Sequence, residues 1–196
     1  LVAGGIFATA GGVSVSKIAL WDGSVWSAMG SGMNDVVFDL EVLQGGDLVA
    51  GGAFTIVGGL KVNRIALWNG STWTTMGSGI SESVLSIASL PDGGLVVGGS
   101  FSSAGGLSAS RIARWNGSVW SAVGLGVAGV FSPSVYAIAT LADDNLVAGG
   151  SFTYAGGVSA NRVARWNGST WSPLGSGMNN DVTELAVLPN GDLIAA

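Results

Sequence analysis

Of the side chains that carry most acid–base, nucleophilic and metal chemistry, this sequence holds only carboxylates: twelve Asp and Glu, with neither His nor Cys. Without His the commonest general base and metal ligand is missing, and Ser-His-Asp or Cys-His arrangements are impossible. What remains is paired-carboxylate work of the glycosidase kind, which needs an acid and a base within about 10 Å of one another. Asp47, Asp92, Asp144 and Asp192 sit in recurring turns where Asp and Gly are simply turn formers. Asp35, Glu82 and Asp181 lie in longer links and are the more interesting acids, as candidate ligand contacts. No alternation of Asp and Asn with calcium-loop spacing is present, so no metal and no cofactor is assigned.

A basic residue recurs at Lys17, Arg64, Arg111 and Arg162. Counted by strand alternation it shares a face with paired tryptophans, Trp21 and Trp26, Trp68 and Trp73, Trp115 and Trp120, Trp166 and Trp171. Repetition at every position favours packing between neighbouring units over a ligand platform. The basic group would then stack on an indole or bind backbone carbonyls. A ring of such groups meeting an anionic ligand is the alternative. Two aromatics break the pattern, Phe131 and Tyr154, and Phe131 belongs to four extra residues within 127–134. Insertions in regular arrays map to loops, often on the binding face, so these two are aromatic contact candidates.

The elements that must position these residues are written as a repeat. Leu1-Val2-Ala3-Gly4-Gly5 returns at Leu48, Leu95 and Leu146, spaced 47, 47 and 51 residues, and a further copy starts at Leu193. The repeats therefore run 1–47, 48–94, 95–145 and 146–192, with the start of another at 193–196. A period of this size marks a propeller, solenoid or array. In the second copy, 48–54 reads as a strand ending in Gly-Gly, 55–63 as a loop, 64–68 as a strand, 72–76 as its partner and 84–90 as a fourth strand. Asn69-Gly70 reads as a type I′ hairpin turn, whose two central residues need positive φ. Such a turn makes neighbouring strands antiparallel, which disfavours a parallel β-helix. Both Trp of a pair share a face whether the turn loop is two or four residues long; with two, the second Trp lies opposite Ala19, Ala66, Ala113 or Ala164. The fold class is thus all-β, a β-propeller of four ~47-residue four-stranded repeats. It is expected to be part of a larger ring or one completed by another copy, because an uncovered strand edge invites aggregation.

Gly-Gly-x-Phe on one strand, followed by Arg-Ile-Ala-x-Trp-Asn-Gly-Ser-x-Trp, resembles kelch-like repeats. It is more similar to the repeats of the fungal cortical cell-polarity marker family and their bacterial relatives. Trp stands where kelch repeats usually carry Tyr. The resemblance implies blades and a loop face that binds ligands, formed by the links and the second Gly-Gly loops. Galactose-oxidase-type chemistry, found on one kelch-like propeller, needs His, Tyr and Cys and does not carry over.

Composition narrows the function classes. Hydrophobic residues make up 48% and charged ones 10%, enough to bury a core. Net charge is −5 and the seven basic residues are dispersed, which argues against nucleic acid. No apolar run is long enough to cross a membrane as a helix. Asn69, Asn116 and Asn167 match glycosylation sequons, but each is also the hairpin turn, and Asp22 replaces Asn in the first copy. Three readings follow. A non-catalytic extracellular or cell-surface scaffold or adhesion module, binding another macromolecule through its loop face, leads. A multivalent carbohydrate-binding lectin, in which abundant Trp stacks on sugars, is second. The propeller part of a carbohydrate-active enzyme is third. Exposure of the Trp pairs separates the first two, and proximity of the link acids tests the third.

Overall fold

Short runs of Val, Ile, Leu and Trp bounded by Gly-rich turns produce strands and nothing else: the computed structural model describes residues 1–196 and holds no helix. Three complete blades are four-stranded antiparallel meanders. The second blade consists of Val37–Val42, Leu48–Gly52, Ile65–Trp68 and Trp73–Thr75. The third consists of Val84–Ser89, Leu95–Gly99, Ile112–Trp115 and Trp120–Ala122, and the fourth of Val135–Thr140, Leu146–Gly150, Val163–Trp166 and Trp171–Pro173. First strands of successive blades lie against one another, which puts them innermost. The outermost strand of the fourth blade ends in Pro173, tolerated there because an edge strand needs no further donor.

Each of the four repeats contributes four blade strands, but the repeat is offset from the blade by one strand, because its last strand is the innermost of the following blade. The first blade has three strands, Val2–Gly4, Ile18–Trp21 and Trp26–Ala28, without an inner one. Leu185–Val187 and Leu193–Ala195 form a two-stranded fifth unit whose strands pair with each other and not with Val2–Gly4, so the blades form an arc.

Each core layer lies between two blades. Val49, Ile65 and Met76 of the second pack with Val84, Leu95 and Trp120 of the third, and equivalent layers repeat on either side. Phe54, Phe101 and Phe152, from Gly-Gly-x-Phe, are fully buried, each worth about 2–3 kcal/mol relative to exposure. The Gly-Gly pair itself is a socket. A Cβ on Gly98 would stand 2.4 Å from Val135 Cγ1 of the next blade, and one on Gly99 2.0 Å from the Ser83 carbonyl of its own blade. The second Trp of a pair crosses the same seam: the Trp73, Trp120 and Trp171 indoles donate to the carbonyls of Met29, Met76 and Val123 of the preceding blade.

Two turn assignments are overturned. Trp68 faces Trp73 directly across a four-residue loop, as do the other pairs, so the second Trp is not opposite Ala66. Only Gly70 has positive φ. The Asn69 carboxamide instead accepts the Ser71 and Thr72 N–H groups, as do Asn116, Asn167 and the Asp22 carboxylate in their copies. The turn with two positive φ values lies within the segment read as a loop. Gly58 (57°) and Gly59 (83°) join Ile56–Val57 to Leu60–Lys61, and each other copy has the same small hairpin.

Candidate functional site

In an antiparallel meander the links between blades and the connections between second and third strands emerge on one face. Here that face is sewn together blade to blade. Asn34 in one link exchanges hydrogen bonds with Thr55 and Ile56 of the next small hairpin, at 2.8–2.9 Å. Ser81 Oγ accepts the N–H groups of Ser102 and Ser103 in the same way. Met33–Val57 and Ile80–Ala104 bridges accompany them. At the insertion the bridge lengthens into a strand, Val127–Ala128, which pairs with Tyr154–Ala155 and makes a three-stranded patch.

The insertion also gathers apolar surface. Phe131 is 88% exposed and Tyr154 46%, and Leu125 and Val130 are nearly as open as Phe131. Tyr154 lies opposite Ala128 in the patch. Leu125 Cδ1 reaches within 3.9 Å of where a Cβ on Gly157 would be, so it borders the neighbouring hairpin turn. Between the second and third blades the same face holds a shallow polar recess of about 240 Å³ walled by Asn63, Ser78, Ser81 and Ser103.

The link acids share this face but not a site. Asp35 is exposed and accepts the adjacent Val36 N–H, Asp181 pairs with Arg162 at 3.2 Å, and exposed Glu82 has no polar partner. None of the three contacts another by hydrogen bond or ion pair. The recurring basic residues do not continue the strand alternation. Lys17, Arg64, Arg111 and Arg162 all have positive φ, 63–75°, one residue before the third strand. From there Arg111 donates to the Phe101 and Pro133 carbonyls, Arg162 to Phe152, and Lys17 to Ile6. Arg111 and Arg162 thus clamp the link that enters the next blade.

The paired tryptophans are not equivalent. Trp73, Trp120 and Trp171 are buried, whereas Trp21, Trp68, Trp115 and Trp166 are half-buried; within each pair the ring centroids lie 5.1–5.4 Å apart and tilted. Two ion pairs on the opposite face, Arg114 with Asp92 and Arg165 with Asp143, escaped sequence reasoning, because Leu20 and Leu67 occupy the Arg position in the first two copies. Near the axis, Asp39 and Glu41 of the second blade accept the Ile87 and Ser89 N–H groups of the third at 2.7 and 3.0 Å. Burial holds the Asp39 carboxyl above its ordinary value, against the lowering effect of its hydrogen bonds from Ile87 and Leu40, and the charges of Glu41 and Glu184 add to the rise.

Comparison with known proteins agrees with this architecture. Residues 90–117 and 141–169 match a β-propeller family described as a domain of unknown function, DUF5122, and each stretch runs from the turn before a second strand through the Asn-Gly of the third. None of the curated proteins matches. Among solved structures the chain is similar to the extracellular domain of a one-component system from B. thetaiotaomicron, at 6% identity and a TM-score of 0.61 over 93% of this chain. A second structure of the same protein, BT4673, there described as a hybrid two-component system, gives 7% identity and the same score and coverage. The chain spans 24% of the length of each. By fold it is a β-propeller, and over two of its repeats its sequence is similar to the DUF5122 propeller family.

Proposed function

We propose that the chain is a non-catalytic, extracellular propeller scaffold that binds a macromolecule through the face carrying the links and small hairpins. The observation that carries this reading is the set of exposed apolar side chains at and beside the insertion, Leu125, Val130, Phe131 and Tyr154, which add to Ile56, Leu60, Leu107 and Val158 exposed on the small hairpins of the same face. Exposed apolar groups grouped within a polar rim are what a protein interface offers. The segment that carries Phe131 is fixed at both ends, where Val127–Ala128 pairs with Tyr154–Ala155 and Arg111 holds the Pro133 carbonyl. The dispersed link acids, none of which contacts another or shares a partner with it, support a non-catalytic role. The resemblance to cell-polarity marker repeats, and the extracellular setting of the solved protein with a similar fold, support a surface location.

A photo-crosslinking amino acid placed at 131, and as a control at exposed Val25 on the opposite face, tests the reading on intact cells of the source organism. Defined adducts from position 131 alone, lost in a Leu125→Ser/Tyr154→Ser background, are expected. Equal labelling from both positions, or none, overturns it.

A further inference from the structure

On the face opposite the link acids, the seam between the third and fourth blades opens into a recess of about 300 Å³, at the small end of ligand-binding cavities. One wall is the half-buried indole of Trp166. That ring is held from behind by Trp171, at 5.4 Å, and lies against backbone: a Cβ on Gly124 would stand 2.6 Å from Trp166 Cζ3. Leu90 and Pro91 line the recess, its charged groups are the Arg114–Asp92 pair and Asp144, and Ser121 adds a hydroxyl.

Asp144 is the informative residue. Its φ is +61°, a left-handed conformation that Asp tolerates better than most residues but that Gly adopts freely, and Gly46, Gly93 and Gly191 fill this turn position in the other copies with φ of 83–89°. Its carboxylate is exposed and has no hydrogen bond or ion pair. The fourth blade thus carries, in place of the residue this backbone prefers, one that adds only a free acceptor to the recess. The Arg114–Asp92 pair is absent one blade earlier, where Leu67 and Gly45 stand, and recurs one blade later as Arg165–Asp143 with Gly191 at the Asp144 position, so the combination with Asp144 is particular to this seam.

We propose that this seam is a saccharide-binding site, in which Trp166 stacks on the C–H face of a sugar ring while Asp144 and the Asp92–Arg114 pair engage its hydroxyls. The mixture of groups selects the ligand. A hydroxyl both donates and accepts, so it satisfies the carboxylates and the guanidinium together; an organic ammonium only donates and would sit beside Arg114 unmatched. The site is single, because no other seam combines the three charged residues with a tryptophan wall. This goes beyond the scaffold reading and uses the other face.

Titration of the whole chain with a panel of neutral mono- and disaccharides, followed by calorimetry and by the indole N–H signals in NMR, tests it. One sugar class should bind with a stoichiometry of one and a dissociation constant on the order of 1 mM. The Trp166 signal, identified with Trp166→Phe, should shift. Asp144→Gly and Arg114→Leu install residues that the other copies carry, and each should weaken binding roughly 10-fold or more. Asp144→Gly should do so with an unchanged or higher melting temperature, which separates lost binding from lost folding. The proposal is overturned by no response at concentrations on the order of 100 mM, by several equivalent sites, by wild-type affinity in Asp144→Gly, or by binding of tetramethylammonium in place of sugars. Leu125→Ser/Tyr154→Ser should leave sugar binding unchanged, so this proposal and the interface on the other face fail independently.

Discussion

Single side chains in this molecule divide by what crosses a seam. Trp120 donates its indole N–H to the Met76 carbonyl at 2.8 Å from a buried position, while Trp26, its counterpart in the first blade, is half-buried and has no such bond. The Met76 carbonyl also accepts from Gly79, so it stays paired when the indole is removed. Trp120→Phe should therefore cost the net bond plus a cavity, about 2–3 kcal/mol, and Trp26→Phe less than about 1 kcal/mol, read by urea unfolding. Asp39 makes a second seam contact with an opposite pH signature. Burial raises its pKa in the folded protein above the ordinary 3.8, so the folded state holds this proton to higher pH than the unfolded chain does. That contribution is fully present below the unfolded value and is lost as pH rises through the folded one. Asp39→Asn stays neutral throughout. Its melting temperature relative to the parent should be highest near neutral pH, and the gap should shrink as pH falls toward 4; a gap that widens on acidification refutes the assignment. Repetition alone marks all eight tryptophans but does not tell the buried Trp120 from the half-buried Trp115. The inward Asp39 was not legible, because Ser86 and Ala137 occupy its position in the next two copies and no periodic signal marks it.

Strand positions were legible because apolar alternation and Gly-Gly punctuation recur four times, and the second strand, 48–52, ends at the glycines the sequence marks. The turns were misread for a local reason. Asn-Gly suits a two-residue primed turn, but here Asn69 uses its side chain as the acceptor that closes a four-residue loop, an alternative that dipeptide identity cannot distinguish. The real primed turn, Gly58-Gly59, lay between segments too short to show alternation. Gly-Gly on the second strand has a different cause, since its first member receives the valine of the next blade. Gly98→Ala would place a methyl 2.4 Å from Val135 Cγ1, and Val135 is fully buried and stiff at χ1. It should cost about 1–3 kcal/mol through overpacking, and a Gly98→Ala/Val135→Ala pair should recover part of that loss. Additive losses in the double variant would show that the two positions do not meet.

At the scale of the whole arc, stability should follow the number of neighbours a blade has. Each hydrophobic layer joins only adjacent blades, so the chain behaves as a short one-dimensional array with nearest-neighbour terms. The third blade is packed on both sides: Val96 and Ile112 belong to the layer shared with the fourth blade, Val97 and Ala113 to the layer shared with the second. The fifth unit has one neighbour and two strands, and its Leu193–Ala195 strand is bonded along one edge only. Under native conditions, hydrogen exchange should therefore be slowest for the amides of Leu95–Gly99 and fastest for Leu193–Ala195, with the three-stranded first blade between them. The two proposed binding surfaces lie in the protected part of this gradient. The Phe131 cluster and the Trp166 recess both sit at the junction of the third and fourth blades, where two complete four-stranded sheets support them. Uniform exchange across all blades would mean that the arc unfolds as one unit and that its end strands are held by contacts beyond those between neighbours. A graded profile would place recognition on the stiffest seam of the molecule, where a ligand needs to order the least.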